Sequence, residues 1–502
     1  MFKQDQKPAG LGYQLTAVVF CTIFLLLPSI FNRAPFVYFD SASYLSQAGK
    51  AVQMLQSRIG IMPDGSADAI AAGASLPKTH HDSNDINYAG RSIYYSLFAW
   101  IGAVTLGASS VGVLQAAVLA SLIVMTLQAV WPNASAVPFL MATVALAAGL
   151  ALLTSAGFFV GLIMPDIWAG MMILAFALLM TPSPGIGRNG RVALAAILTL
   201  AAAFHISHLL LLATMVGLLA LAMLLPGCRR IVAPGRVVLP ALALACGLAG
   251  HVAFSVASIA ATGQPPLTRP FVTAHLIEMG PGTRMIQNTC PNSGFAICPY
   301  VDRLPTDWIS FMFSRDPQTG VFGAVPPSVQ RALSEEQTRF ALASFAAEPL
   351  ATTGGLLRDG VAQLWQLSVD DVPLSERNEA FLAANFTQEV AALIRGSAIW
   401  SRPWVAPALS KLIQASTALA AIGLLALVIY GRVPRHGPMA TLFFVCITGL
   451  VLNALICGML ASPYGRFQAR ISWLLPFLLI IALFADRFPN FVASKEETHD
   501  NQ

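Results

Sequence analysis

The sequence predicts an all-α, polytopic membrane fold, on three observations. Of 502 residues, 56% are hydrophobic and 11% are charged, against about 25% charged in soluble domains. Several apolar runs reach the ~20 residues that cross a hydrocarbon core of about 30 Å. The basic residues gather in short loops between those runs, the pattern that fixes orientation in a membrane. Inside lipid the backbone must satisfy its own hydrogen bonds, so runs of this length are helices. A β-barrel would show short alternating segments instead. The net charge of +5 is small and sits mostly in loops, so it does not point to nucleic acid as a partner.

Taken in order, the first run spans 11–32. It is long, no small-residue cleavage site follows it, and further spans come after, so it reads as a retained span rather than a signal peptide. The others are 90–107, 109–131, 136–155, 157–181, 191–206, 208–226, 237–261, 410–430, 438–461 and 471–486. Two hydrophilic segments interrupt them, 33–89 and 262–409. The chain divides accordingly into an N-terminal transmembrane part (1–261, with external loop 33–89), an external and mainly helical domain (262–409), and C-terminal transmembrane helices with a tail (410–502).

Basic residues place the loops. Lys3, Lys7, Arg188, Arg191, Arg229, Arg230, Arg236, Arg432, Arg435, His436, Arg487 and Lys495 should all lie on the cytoplasmic side, and both long segments on the other. The stretch 90–181 breaks this parity, because four crossings would carry Arg188 outside. The expected repair is a break at "IMPDIW" (Ile163 to Trp168), where Pro165 lacks a donor and Asp166 begins the return. About eleven or twelve spans are expected in all. Apolar residues at helical spacing in 339–367 predict helices in the external domain. Tryptophans and arginines in 391–404 predict an interfacial helix.

There are seven cysteines. Cys21, Cys228, Cys246, Cys446 and Cys457 lie in or beside apolar runs, where cysteine acts as a small hydrophobe. Cys290 and Cys298 bound "CPNSGFAIC" in the long polar loop. A disulfide is expected there if the loop faces an oxidising compartment; two free thiols are the alternative.

Ionisable groups inside or at the edge of a membrane are costly, which makes them candidate site residues. Asp40, in "FDSASYL", is a cap for the helix that follows, a chemical group, or both at once. His80, His81, Asp82 and Asp85 cluster in a loop and suit a divalent ion by type, but their spacing fits no fixed signature and equally describes a solvated loop. Arg91 stands at the mouth of a span before Tyr94 and Tyr95, as a phosphate ligand or a snorkelling anchor. Asp166 lies within an apolar run and must face protein or water. His205 and His208 share a helix side, as ligands or as helix-end caps. Arg466 and Arg470 are four apart on the external side, for an anionic ligand or for the acids of the long loop. No P-loop, G-x-S-x-G, H-E-x-x-H or kinase set occurs.

The order of these parts resembles the GT-C superfamily of integral-membrane glycosyltransferases, which includes lipid A aminoarabinose transferases and protein mannosyltransferases. The likeness rests on "FDSASYL", "NYAGRSIYYSLFAWIGAVTLG" and "MPDIWAGMMILAFALL", and covers roughly residues 11–230. It implies a polyprenyl-phosphate-linked sugar donor, a glycan, lipid or protein acceptor, and a bacterial inner-membrane location with the large loops periplasmic. Asp40 would be general base or metal organiser. Arg91, with Arg466 or Arg470, would hold the phosphate, and Asp166 would line the same cavity. The chain departs from the pattern in two places: Ser41 follows Asp40 where the family often has a second acid, and Ala89-Gly90-Arg91-Ser92 replaces an acid-Lys-Pro-Pro. A divalent metal is therefore left open. Two other classes fit the same polar residues: a transporter or flippase for an amphiphilic lipid-linked substrate, though no internal repeat is visible, and a non-catalytic envelope assembly protein.

Overall fold

The computed structural model describes residues 10–58, 92–225, 234–432 and 437–487. Among them the chain is helical, and the single β feature is an isolated parallel bridge between Phe36 and Leu162. The protein is a multi-pass helical membrane protein: among the described residues, seven helices or joined helix pairs are long and apolar enough to cross a bilayer.

The first span joins α1 (Leu11–Leu25) to α2 (Leu27–Asn32). Next come α3 (Phe39–Arg58), α4 (Ile93–Leu106), α5 (Ser110–Val130), α6 (Ala136–Leu153), the short α7 (Ala156–Gly161), α8 (Ile167–Met180), α9 (Arg188–Phe204), α10 (Ile206–Ala222) and α11 (Val238–Thr262). Every residue of α8 is buried, which is why its sequence is apolar all round. By contrast α1 and α11 expose Leu15, Val19, Val252 and Val256, as helices facing lipid do.

Two ends of the bundle can be told apart by their contacts. At one, Arg236 donates to the Met180 carbonyl (2.6 Å) and Ser183 to the Ala129 carbonyl (3.1 Å). At the other, called the outer end because the sequence expects it on the side of the long loops, Phe36 bonds Gly161 and Ile163 through its backbone, and Gln115 donates to the carbonyls of Val160 and Leu162. The expected break at Ile163–Trp168 is present: α7 stops, the chain turns, and α8 returns.

The expected span 90–107 does not cross. Ser92, before α4, donates to the Ala203 carbonyl at the outer end of α9. Just beyond α4, the first turns of α5 pack against Val160 and Gly161 at that same end. Tyr44 of α3 meets Tyr95 of α4 edge to face, and Ser96 donates to Gln47. With α4 lying beside α3 at that end, the odd number of crossings that the basic residues require is met by leaving out a crossing at 90–107, not by the extra short rise expected before Asp166.

The long segment also differs from expectation. Its first part comprises α12 (Phe271–Met279), α13 (Pro281–Thr289), α14 (Trp308–Phe313), α15 (Pro327–Glu335) and α16 (Gln337–Ala347). It owns a core that includes Ile277, Ile286, Phe311, Phe322 and Phe340. Cys290 and Cys298 are joined there in a disulfide. After α17 (Pro349–Ala362), the later part, with α18 (Glu379–Asn385), α19 (Gln388–Arg395) and α20 (Ala398–Ser401), packs Val369, Leu374, Leu382 and Trp400 into the core of the bundle. The interfacial helix expected over 391–404 is two short helices, and Trp400 is buried while Trp404 is exposed. The chain closes with α21 (Val405–Ile429), α22 (Pro438–Ala461), α23 (Arg466–Ser472) and α24 (Leu474–Arg487).

Candidate functional site

A buried charged cluster occupies the outer end of the bundle, where the α7–α8 break, the α9–α10 joint and the α22–α23 joint converge. Gln115 sets the break. Its amide nitrogen donates to Val160 and Leu162, and its oxygen accepts from Tyr95 (3.3 Å) and the Trp168 indole (3.2 Å). A buried amide with both ends satisfied holds a fixed orientation, and it fixes the irregular backbone leading to Asp166. Asp166 stands at the start of α8 without capping it, so its carboxylate is available for other contacts.

Those contacts are arginines. Arg466 Nε lies 3.6 Å and Arg470 Nη1 3.8 Å from Asp166 Oδ1. Exposure is 3% for Asp166, 3% for Arg470 and 11% for Arg466. Two cations thus face one anion in a buried place. The distances are too long for hydrogen bonds. Asp166 Oδ1, Arg466 Nε and Nη1, and Arg470 Nε are buried without hydrogen-bond partners. Buried charged donors left unmade cost more than the about 1–3 kcal/mol of a neutral group. Such groups in a folded protein point to a cause, an ion or ligand among them.

The other edges of the cluster are satisfied. Arg470 Nη2 donates to Asn453 (3.2 Å), Ser207 (3.3 Å) and the Cys457 sulfur (3.5 Å). Asn453 in turn donates to the Phe467 carbonyl and to Gln468. The Arg466 guanidinium stacks over the Tyr38 ring at 4.5 Å, a cation–π contact. Burial pushes the Tyr38 hydroxyl up, Arg466 pulls it down and Asp40 pushes it up again, which puts Asp40 within electrostatic reach of the same pair. Asp40 is half-buried in the first turn of α3.

The turn that delivers the arginines is clamped from outside. Ser462 has φ 70°, a conformation that is unfavourable for any residue with a Cβ. Its hydroxyl donates to Glu278 of α12 (2.6 Å). Gln363 accepts from the Tyr464 amide and donates to its carbonyl. His275 bonds the Met459 carbonyl and Asp359.

The sequence candidates therefore fall into groups. Asp166, Arg466 and Arg470 come together, with Asp40 close by. His205 accepts from the Ser207 amide at the start of α10, the end-cap role, and Ser207 links it to Arg470. His208 is buried with one nitrogen on the Ala201 carbonyl and the other without a partner. Tyr94 and Tyr95 use their hydroxyls on the Gly250 carbonyl and Gln115, which ties helices together. Arg91, His80, His81, Asp82 and Asp85 lie outside the described residues. Sequence reasoning missed Asn453, Ser207, Tyr38 and Tyr464. Asn453 alone carried a usable signal, as an amide inside the apolar run "LVLNALICGML".

Among the described residues no three of His, Cys, Asp and Glu gather as a metal site. Asp166, the one deeply buried acid of the cluster, is already faced by two guanidiniums, so these donors do not suit a divalent ion. No protein family, curated protein or solved structure matches this chain.

Proposed function

We propose that the chain is a membrane glycosyltransferase of GT-C type, moving a sugar from a polyprenyl-phosphate donor to a lipid, glycan or protein hydroxyl at the external face of a bacterial inner membrane. The observation that carries this reading is the buried Arg466–Asp166–Arg470 cluster with guanidinium donors unbonded. Guanidinium matches phosphate oxygens in geometry and stays charged when buried. In the reaction the acceptor oxygen bonds to the anomeric carbon as the bond from that carbon to the phosphate oxygen breaks. The phosphate leaves with the electron pair, and Arg466 and Arg470 stabilise the charge it gains. Asp40 takes the acceptor proton, and Asp166 holds the two arginines in place. A lipid-phosphate sugar is already activated, which agrees with a sequence lacking a P-loop.

The test uses cells lacking this protein, complemented with wild type, Asp40→Asn or Arg470→Gln at matched membrane levels, and mass spectrometry of envelope glycolipids and glycans. The expected result is a glycan mass that wild type restores and neither variant does. Restoration by both variants would contradict transfer chemistry. Restoration by Asp40→Asn alone would favour binding without catalysis, as in a flippase.

A further inference from the structure

We propose that the elbow formed by α16 and α17 is seated at the boundary of headgroups and acyl chains on the site side of the bilayer, with lipid as its partner. The two helices meet at 114° across a break at Glu348, and Pro349 starts the second helix. α17 and the turn that continues it, Gln363–Trp365, are arranged inside out. Leu350, Leu357, Val361 and Trp365 follow one another on one side, and they are 88%, 51%, 52% and 76% exposed. The opposite side holds small or polar residues that are buried: Thr352, Gly360 and Gln363.

That buried side packs on the outer end of α22, a spanning helix. A Cβ on Gly360 would sit 3.0 Å from Met459, and one on Gly458 would sit 2.4 Å from the Asp359 carbonyl. Small residues at a close helix contact are the membrane pattern. Along α22 itself, Phe444 and Val451, on the same side as Gly458, are exposed, so the apolar side of α17 continues a surface that already faces lipid. α16 adds Leu342 and Phe345, 66% and 48% exposed. The charges suit an interfacial depth. Arg284 pairs with Glu348 at the break and Arg358 with Asp359 on the flank, where long side chains keep their heads in water. An amphipathic helix in the interface plane has this make-up.

The proposal rests on the membrane fold and stands apart from the transfer chemistry. It is tested on the full chain in phosphatidylcholine nanodiscs, with the free cysteines replaced and the Cys290–Cys298 disulfide kept. A fluorophore is placed on Leu350→Cys, Val361→Cys or the exposed Gln318→Cys. Doxyl-lipid should quench the first two at least threefold more than iodide does, with the order reversed at Gln318. Iodide quenching at all three sites alike would overturn the proposal. Shielding from both quenchers, with cross-linking between copies, would also overturn it and give the surface to a protein partner. Where a labelled variant fails to assemble, brominated lipid on unlabelled protein decides: it should quench wild type more than Trp365→Phe, and equal quenching counts against the elbow.

Discussion

The two ends of the bundle both carry arginines, and they treat them differently. At the inner end Arg188 and Arg191 are exposed and Arg236 is half-buried, reaching the Met180 carbonyl. At the outer end Arg466 and Arg470 are drawn inside the protein against Asp166. The arginines of the inner end need nothing more than water and a carbonyl. The outer pair is desolvated, a cost that membrane proteins accept where charge has a function. On our reading the outer pair binds.

The largest effect should come from unbalancing the outer end. Asp166→Ala leaves two buried guanidiniums without a counter-charge, and removing one partner of a buried ion pair costs about 3–5 kcal/mol. Arg236→Gln at the inner end should cost about 1 kcal/mol, the value of an ordinary hydrogen bond. Thermal unfolding in matched detergent checks both, and equal losses would erase the contrast. Next, Cys290→Ser with Cys298→Ser reopens a loop of separation 8, worth about 2–3 kcal/mol by loop entropy. Because the core around Phe311 and Phe340 is separate from that of the bundle, hydrogen exchange should quicken in 267–340 and leave α8 unchanged.

A smaller effect is expected at the clamp. Glu278→Ala removes the acceptor of the Ser462 hydroxyl, at about 1–3 kcal/mol for a buried group left unpaired. Exchange should quicken over 459–466, the turn that delivers Arg466. The smallest concerns the surface pair of Glu379 and Arg395. The Arg395 hydrogen bond holds the Glu379 carboxyl below the ordinary range. A depressed carboxylate adds stability above its unfolded value of about 4.3, and that stability is lost as pH falls through the folded value. Both groups are exposed and screened, so Arg395→Gln should shift the melting temperature little at pH 7, and the shift should shrink as pH falls through the folded value.

How much of this is legible in the sequence follows from what each feature depends on. Spans such as Ser110–Val130 depend on local composition, which the sequence displays directly. Asp166 stands out because a carboxylate within an apolar run must be turned toward protein or water. Residues 90–107 look like a crossing because apolarity does not separate a helix lying beside α3 from one that passes through. That difference is set by contacts to Ala203 and Val160, far along the chain. The same distance hides the pairing of Asp166 with Arg470, some three hundred residues apart, and the hold of Glu278 on Ser462. The division of 262–409 is hidden too, since Val369 and Phe340 look alike until their neighbours are known.

The most direct test of the outer-end account is binding of a polyprenyl phosphate, without sugar, to the chain in nanodiscs by native mass spectrometry. Wild type should retain the lipid, Arg470→Gln should lose at least tenfold in affinity, and Arg236→Gln should match wild type. Equal binding by all three would contradict the claim that the buried arginines of the outer end form a phosphate site.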